Sequence, residues 1–261
     1  MRTLIKIGGT LLDAAESRRR LAREIAALHQ AGTPVAVVHG GGKQMTRYLE
    51  RQGIQSRFRD GLRVTTPETL EALLCVLAGT VNTELVAAFL EAGARAVGLT
   101  GVDAGLVEAE PLGEDWGAVG RPARAHGELL DLLSDRGYLP VIACVAGDGH
   151  GRIFNVNADQ MAVACAAAFG ARRLIFLTDV PGVRASDQTV IPVLSLAESE
   201  RLIASGVATG GMQAKLTAAA RALDAGVPEV LIAPGGEAGA LGRLLAGERL
   251  GTRLLADRAL P

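Results

Sequence analysis

The fold class the sequence predicts is α/β, with a mainly parallel sheet covered by helices, and two observations predict it. Short β-branched runs alternate with longer segments of helical periodicity. Glycine-terminated turns also close three of the runs, at Ile7-Gly8-Gly9, His39-Gly40-Gly41-Gly42 and Leu99-Thr100-Gly101; the carboxyl ends of such strands are where open α/β sheets bind ligands. The expected strands are Thr3 to Ile7, Pro34 to Val38, Ala94 to Leu99, Leu139 to Ala143, Arg173 to Leu177 and Glu229 to Ile232. Helical periodicity covers Ser17 to Gln30, Lys43 to Gln52, Pro67 to Glu91, Gly127 to Arg136, Ala158 to Phe169, Leu196 to Ala204 and Gly211 to Ala225. In the longest of these, Leu70, Leu73, Leu74, Leu77 and Val81 recur at three and four residue spacing behind a Thr66-Pro67 start, so one face is expected to be buried. The stretch Asp103 to Gly127, rich in Gly, Pro and Glu, is expected to hold a hairpin or loop. Two lobes are expected, 1–146 and 147–261, sharing one continuous sheet.

Composition narrows the function classes. The chain has 261 residues, 49% hydrophobic, with a mean hydropathy of +0.26, enough apolar mass for a real core. A net charge of -1 without a basic stripe, and only one Trp, two Tyr and five Phe, argue against nucleic acid as a partner. No apolar run is expected to reach membrane-spanning length, Met161 to Ala171 being too short, and no signal peptide precedes the first strand. The expectation is a soluble, cytoplasmic protein without a membrane partner. Cys75, Cys144 and Cys165 sit in apolar surroundings without metal-ligand spacing and are expected to be buried thiols. His29, His39, His126 and His150 form no paired motif, so no metal site is expected.

The residues that carry chemistry are few. Of 27 basic residues all but three are arginines, and two of the lysines, Lys6 and Lys215, lie in glycine-flanked segments. Gly8-Gly9 and Gly40-Gly41-Gly42 allow backbone N–H groups to approach an anion, yet neither fits the P-loop or the dinucleotide fingerprint; each is equally explained as a structural turn. Asn155, Asn157 and Asp159 fall at spacing two before an apolar helix, where Asn157 with Gln160 also reads as a capping box. Lys215 is expected in the first turn of its helix, against the dipole, which an anion would explain. Arg63 either clamps a carboxylate bidentately or is an ordinary surface arginine.

Taken together, Lys-Ile-Gly-Gly at 6–9, Val-His-Gly-Gly-Gly at 38–42, Gly-Leu-Arg-Val-Thr at 61–65, Asn-Val-Asn-Ala-Asp-Gln at 155–160, Leu-Thr-Asp-Val-Pro-Gly-Val at 177–183 and Gly-Gly-Met-Gln-Ala-Lys at 210–215 give a chain that resembles the acetylglutamate kinases of the amino acid kinase family, over nearly its whole length. The resemblance implies a three-layer αβα sandwich, ATP and Mg²⁺, and phosphorylation of the γ-carboxylate of N-acetyl-L-glutamate in arginine biosynthesis. It implies that Lys6 and Lys215 stabilise the transferring phosphoryl group, that Asp159 holds both lysines, and that Gly9 and Gly42 present N–H groups to it. Gly41, Gly42, Arg63 and Asn155 would bind the acceptor; Asp179, Val180, Pro181, Gly182, Val183, Arg184, Val207, Ala208 and Thr209 would line the ATP site. Arginine-inhibited relatives carry an extra helix before the first strand, so a homodimer that arginine does not inhibit is expected. Two alternatives stand beside this: a kinase of the same fold acting on another acid, such as an aminoadipate derivative, and an ATP-binding sensor without activity.

Overall fold

A computed structural model of the chain describes residues 1–256. In its first half the elements are β1 (Thr3–Ile7), α1 (Ala15–Gln30), β2 (Val35–His39), α2 (Gly42–Arg51), β3 (Phe58–Arg59), β4 (Leu62–Arg63), α3 (Pro67–Leu73), α4 (Asn82–Glu91), β5 (Ala96–Thr100), β6 (Val107–Pro111), β7 (Val119–Ala125), α5 (Glu128–Asp135) and β8 (Leu139–Ala143). There follow β9 (Val145–Gly147), β10 (Ile153–Val156), α6 (Ala158–Ala168), β11 (Arg173–Thr178), β12 (Val193–Ser195), α7 (Leu196–Ala204), α8 (Gly210–Asp224), β13 (Glu229–Pro234), α9 (Ala240–Leu245) and β14 (Thr252–Leu255).

Eight strands make one sheet in the order β12-β14-β13-β11-β1-β2-β8-β5. Every pair in it is parallel except β13 with β14. All five residues of β1, β2 and β8 are buried, which requires cover on both faces of the sheet. Helix α1 packs with α4 and α9, and α6 packs with α8, so the sheet lies between two helical layers. The six strands expected from the sequence are present, with ends displaced by at most two residues. Of the hairpin or loop expected over Asp103–Gly127 the hairpin is found: β6 pairs antiparallel with β7, and with β9 and β10 they close into a small four-stranded barrel.

Two expectations are corrected. The stretch Pro67–Glu91 is, by length and composition, long and apolar enough to cross a membrane, with a hydropathy of 1.9. Thr80 and Asn82 break its apolar run without breaking the helix, so counting uninterrupted runs misses it. Within the fold 44% of that window is buried, and α4 packs on β5 and β8 like the core helix of a sheet protein. Its middle, Leu74–Val81, is a π-helical segment, an irregularity often found at functional sites. The second correction concerns the thiols: Cys144 and Cys165 are buried, but Cys75 is exposed on the outer face of that segment. Apolar neighbours in sequence do not imply burial on a helix that packs through one face only.

Candidate functional site

The sheet's carboxyl edge gathers the glycine turns and the charged groups. Lys6 lies next to the end of β1 and is only 6% exposed. Asp159 is the second residue of α6, whose N-cap is Asn157; the Asn157 side chain accepts hydrogen bonds from the Asp159 and Gln160 amides, the first half of the expected capping box. Lys215 comes from α8, which begins at Gly210, so the lysine stands in the second turn and not the first. From there its ammonium reaches back to the Gly211 carbonyl at 3.4 Å and to Asp159.

These three side chains meet. Lys6 Nζ is 2.5 Å from Asp159 Oδ1, and Lys215 Nζ is 3.5 Å from Asp159 Oδ2. Burial pushes the Asp159 carboxyl upward, but Lys6 and then Lys215 outweigh it and hold its pKa below the ordinary carboxylate value. Two ammoniums around one carboxylate leave a net positive charge in a nearly dry site, which favours an anion there.

The triad sits where two cavities adjoin. One, of about 240 Å³, is lined by Lys6, Gly9, Gly41, Gly42, Arg63 and Asn155, with an apolar side made by Met45, Leu73, Leu77 and Val119. The other, of about 700 Å³, is lined by Asp159, Gln160, Gly210, Gly211 and Lys215; Asn157 borders both. Gly9 packs tightly on the next turn: a Cβ there would lie 3.0 Å from the Gly41 nitrogen and 3.1 Å from that of Gly42, so that backbone would have to give. A Cβ on Gly41 would fall 2.2 Å from Leu77 Cδ2.

In the smaller cavity Arg63 is buried, its guanidinium donating to Ser56 Oγ, to Thr46 Oγ1 at 2.8 Å and to the Gly42 carbonyl at 3.3 Å, with the Phe58 ring 4.6 Å away. It is therefore not an ordinary surface arginine. Asn155 Nδ2 donates to Thr65 Oγ1 at 3.0 Å, and that hydroxyl donates to the Arg63 carbonyl at 2.9 Å. Ser56, Thr46 and Phe58 carry no sequence signal of their own; Thr65 lies inside the 61–65 stretch but reads as ordinary.

The expected nucleotide-side residues occupy the loop after β11 and the entry to α8. Gly182, Val183 and Ala208 are buried, Val183 donating its amide to Thr252 Oγ1 at 2.8 Å. Asp179, Arg184, Val207 and Thr209 are exposed, while Val180 and Pro181 are half-buried. The Val183 and Ala208 side chains belong to the core, and their amides are bonded within the fold, Ala208 to the Leu202 carbonyl.

A sheet of this topology with a lysine-carboxylate-lysine cluster between two cavities is the frame of a phosphoryl-transfer protein. The chain belongs to the amino acid kinase family, whose sequence profile matches residues 1–234. An acetylglutamate kinase from Solibacter usitatus is 61% identical over 255 residues, 98% of this chain and 99% of that protein. One from Rubrobacter xylanophilus is 43% identical over 253 residues, 97% of this chain and 96% of that protein. Among solved structures, N-acetylglutamate synthase from Neisseria gonorrhoeae, complexed with coenzyme A and N-acetyl-glutamate, superposes with a TM-score of 0.87 at 26% identity. The match covers 97% of this chain and 59% of the synthase.

Proposed function

We propose that the chain transfers the γ-phosphoryl group of ATP to the γ-carboxylate of N-acetyl-L-glutamate, giving N-acetyl-L-glutamyl 5-phosphate and ADP in arginine biosynthesis. The observation that carries this reading is the buried Lys6-Asp159-Lys215 cluster at the junction of two cavities. Near-complete alignment with the Solibacter acetylglutamate kinase supports the choice of acceptor.

A carboxylate is ionised at neutral pH, so its oxygen attacks the γ-phosphorus without a general base while the bond to the bridging oxygen breaks and ADP departs. Alignment and charge neutralisation are what the protein supplies. Lys6 and Lys215 stabilise the equatorial charge, and Asp159 keeps the two ammoniums together and oriented, taking no proton. The Gly9 and Gly42 amides add donors. Arg63 exchanges its hydroxyl partners for a carboxylate of the acceptor; Gly41 and Asn155 hold the rest of it.

ATP enters the larger cavity, with its phosphates toward the start of α8, whose N-terminal amides favour an anion. Asp179 to Arg184 and Val207 to Thr209 do not line that cavity; we assign them to the rest of the nucleotide, beyond its phosphates. Among the described residues no group of three or more His, Cys, Asp or Glu side chains is arranged to hold a metal, and Mg²⁺ needs none, since phosphates and water supply most of its ligands. It fits as an ion carried on the nucleotide phosphates, where it neutralises charge when bound.

We assign 1–146 to the acceptor lobe and dimerisation, and 147–261 to the nucleotide lobe, one continuous sheet joining them; residues 257–261 lie outside the described ones. The exposed apolar positions of Pro67–Glu91, Leu90 among them at 55% exposure, support a homodimer, which light scattering tests. Free thiols at all three cysteines support a reducing, cytoplasmic location.

Trapping with hydroxylamine tests the reaction. With MgATP, acyl hydroxamate is expected from N-acetyl-L-glutamate and not from glutamate, aspartate or N-acetyl-aminoadipate. Colour with another acid alone moves the substrate, and none with any acid, despite ATP binding, favours the sensor.

A further inference from the structure

We propose that His39 and Asn82 form a buried pair that sets the direction of the Gly41 amide N–H, making both positioning residues for the glycine turn that holds the acceptor and its phosphoryl group. Neither side chain lines either cavity of the site, and both are nearly sealed from solvent, His39 at 0% and Asn82 at 5% exposure. Burying two polar side chains in the middle of an α/β core is costly unless each finds partners, so the pair calls for a reason.

The hydrogen bonds fix the tautomer of His39 and the orientation of the Asn82 amide. Asn82 Nδ2 lies 2.9 Å from the Val141 carbonyl, which only accepts, so the nitrogen and not the oxygen of the amide stands there. The same nitrogen is 3.0 Å from His39 Nε2, which must then accept its second hydrogen. The imidazole proton is thereby placed on Nδ1, which donates to the Gly40 carbonyl at 3.0 Å. Burial agrees, lowering the His39 pKa to about 4 and keeping the ring neutral.

The Gly40 carbonyl and the Gly41 N–H belong to one planar trans peptide and point in opposite directions. Holding the carbonyl against His39 therefore turns the Gly41 N–H away from the core. The Gly41 nitrogen lies beside Gly9, a Cβ on which would stand 3.0 Å from it, and both glycines line the smaller cavity. Asn82 is the first residue after the π segment, whose i→i+5 bonding changes the helical phase at the point where the side chain turns inward. The irregular turn thus has a structural use.

The inference rests on the proposed role of Gly41 and Gly42, so the experiment separates the two. In protein labelled with ¹⁵N-histidine, the His39 ring at pH 7 is expected as the neutral Nδ1–H tautomer. An Nε2–H ring or a protonated ring in the unsubstituted protein overturns the proposal. The kinetic arm uses two replacements. In His39→Asn the amide takes the place of Nδ1 and keeps a donor to Gly40; in His39→Gln it takes the place of Nε2 and does not. His39→Asn is expected to hold kcat within about threefold, and His39→Gln to lower it by roughly tenfold or more with little change in either KM. Equal kcat in the two variants overturns the proposal; if neither folds, the tautomer decides. A chain whose unsubstituted form makes no hydroxamate refutes the kinase assignment, and the tautomer result then stands as the test of the pair.

Discussion

Replacing Lys6 by methionine separates a charge that holds the fold from a charge that does chemistry. At an effective dielectric near 20, the 2.5 Å and 3.5 Å separations to Asp159 correspond to roughly 7 and 5 kcal/mol of attraction before desolvation is subtracted. Taking each ion out of water costs several kcal/mol, so the intact cluster gains little net stability, while breaking it leaves Asp159 buried with only the more distant ammonium. Lys6→Met is therefore expected to destabilise the protein by about 3 to 5 kcal/mol. It is also expected to lower kcat by about 10² to 10³, the scale for one preorganised charge stabiliser, with both KM values changing less. The double variant Lys6→Met/Asp159→Asn removes both charges of the 2.5 Å pair. It should recover much of the lost stability and none of the lost kcat. The assays are urea denaturation for stability and ADP release with hydroxamate trapping for turnover. A Lys6→Met enzyme with unsubstituted kcat, or a double variant whose kcat recovers along with its stability, refutes the reasoning.

Other outcomes follow from the same geometry. Lys215→Ala, at a half-buried position, should lower kcat by about 10² to 10³ as well, with a smaller loss of melting temperature than Lys6→Met. Arg63→Ala should raise KM for the acid by roughly tenfold or more while kcat changes less, read from initial rates at saturating ATP. Gly9→Ala would press a methyl group against the Gly41 and Gly42 backbone and should lower kcat by at least about tenfold with the fold retained, checked by circular dichroism beside turnover. Acid should weaken the fold through His39. Its pKa is lowered from 6.5 to about 4 by burial, so the unfolded chain takes up a proton first and stability falls as pH drops through that window. By pH 4 the loss is on the order of 3 kcal/mol, measured by urea denaturation between pH 8 and 4, and His39→Asn should flatten that slope. Asp159, also held low, adds loss of the same sign below the ordinary carboxylate range.

What the sequence discloses of this molecule depends on how local each cause is. Most of the six expected strands are legible because runs such as Leu174 to Leu177 are buried on both faces and so are apolar throughout; β5, partly exposed, is the exception. Lys6 and Lys215 are legible because lysine is rare here and glycine flanks both. The small barrel is harder to read: in β6 and β7 only Val107, Ala109, Val119 and Gly120 are buried, while Glu108, Glu110, Arg121 and Arg124 give the segment a polar, loop-like character. The start of α8 is legible to within one residue, Gly211 expected and Gly210 found, although both glycines are poor helix formers. Least legible is Asn82, whose partner His39 lies 43 residues away; nothing near either one reports the contact.

The position of β1 has a consequence for synthesis. The strand that carries Lys6 is central in the sheet, bonded on one side to β2 and on the other to β11. β2 ends at His39, but β11 does not begin until Arg173. At ribosomal speeds of roughly 5–20 residues per second, one hydrogen-bonding edge of β1 stays without its partner for on the order of ten seconds. During that interval the strand Thr3–Ile7 presents an open row of amides and carbonyls that another chain can pair with. Slow, crowded expression should therefore fail by aggregation of incomplete chains, and shielding of this strand on the ribosome should rescue yield without altering the finished protein.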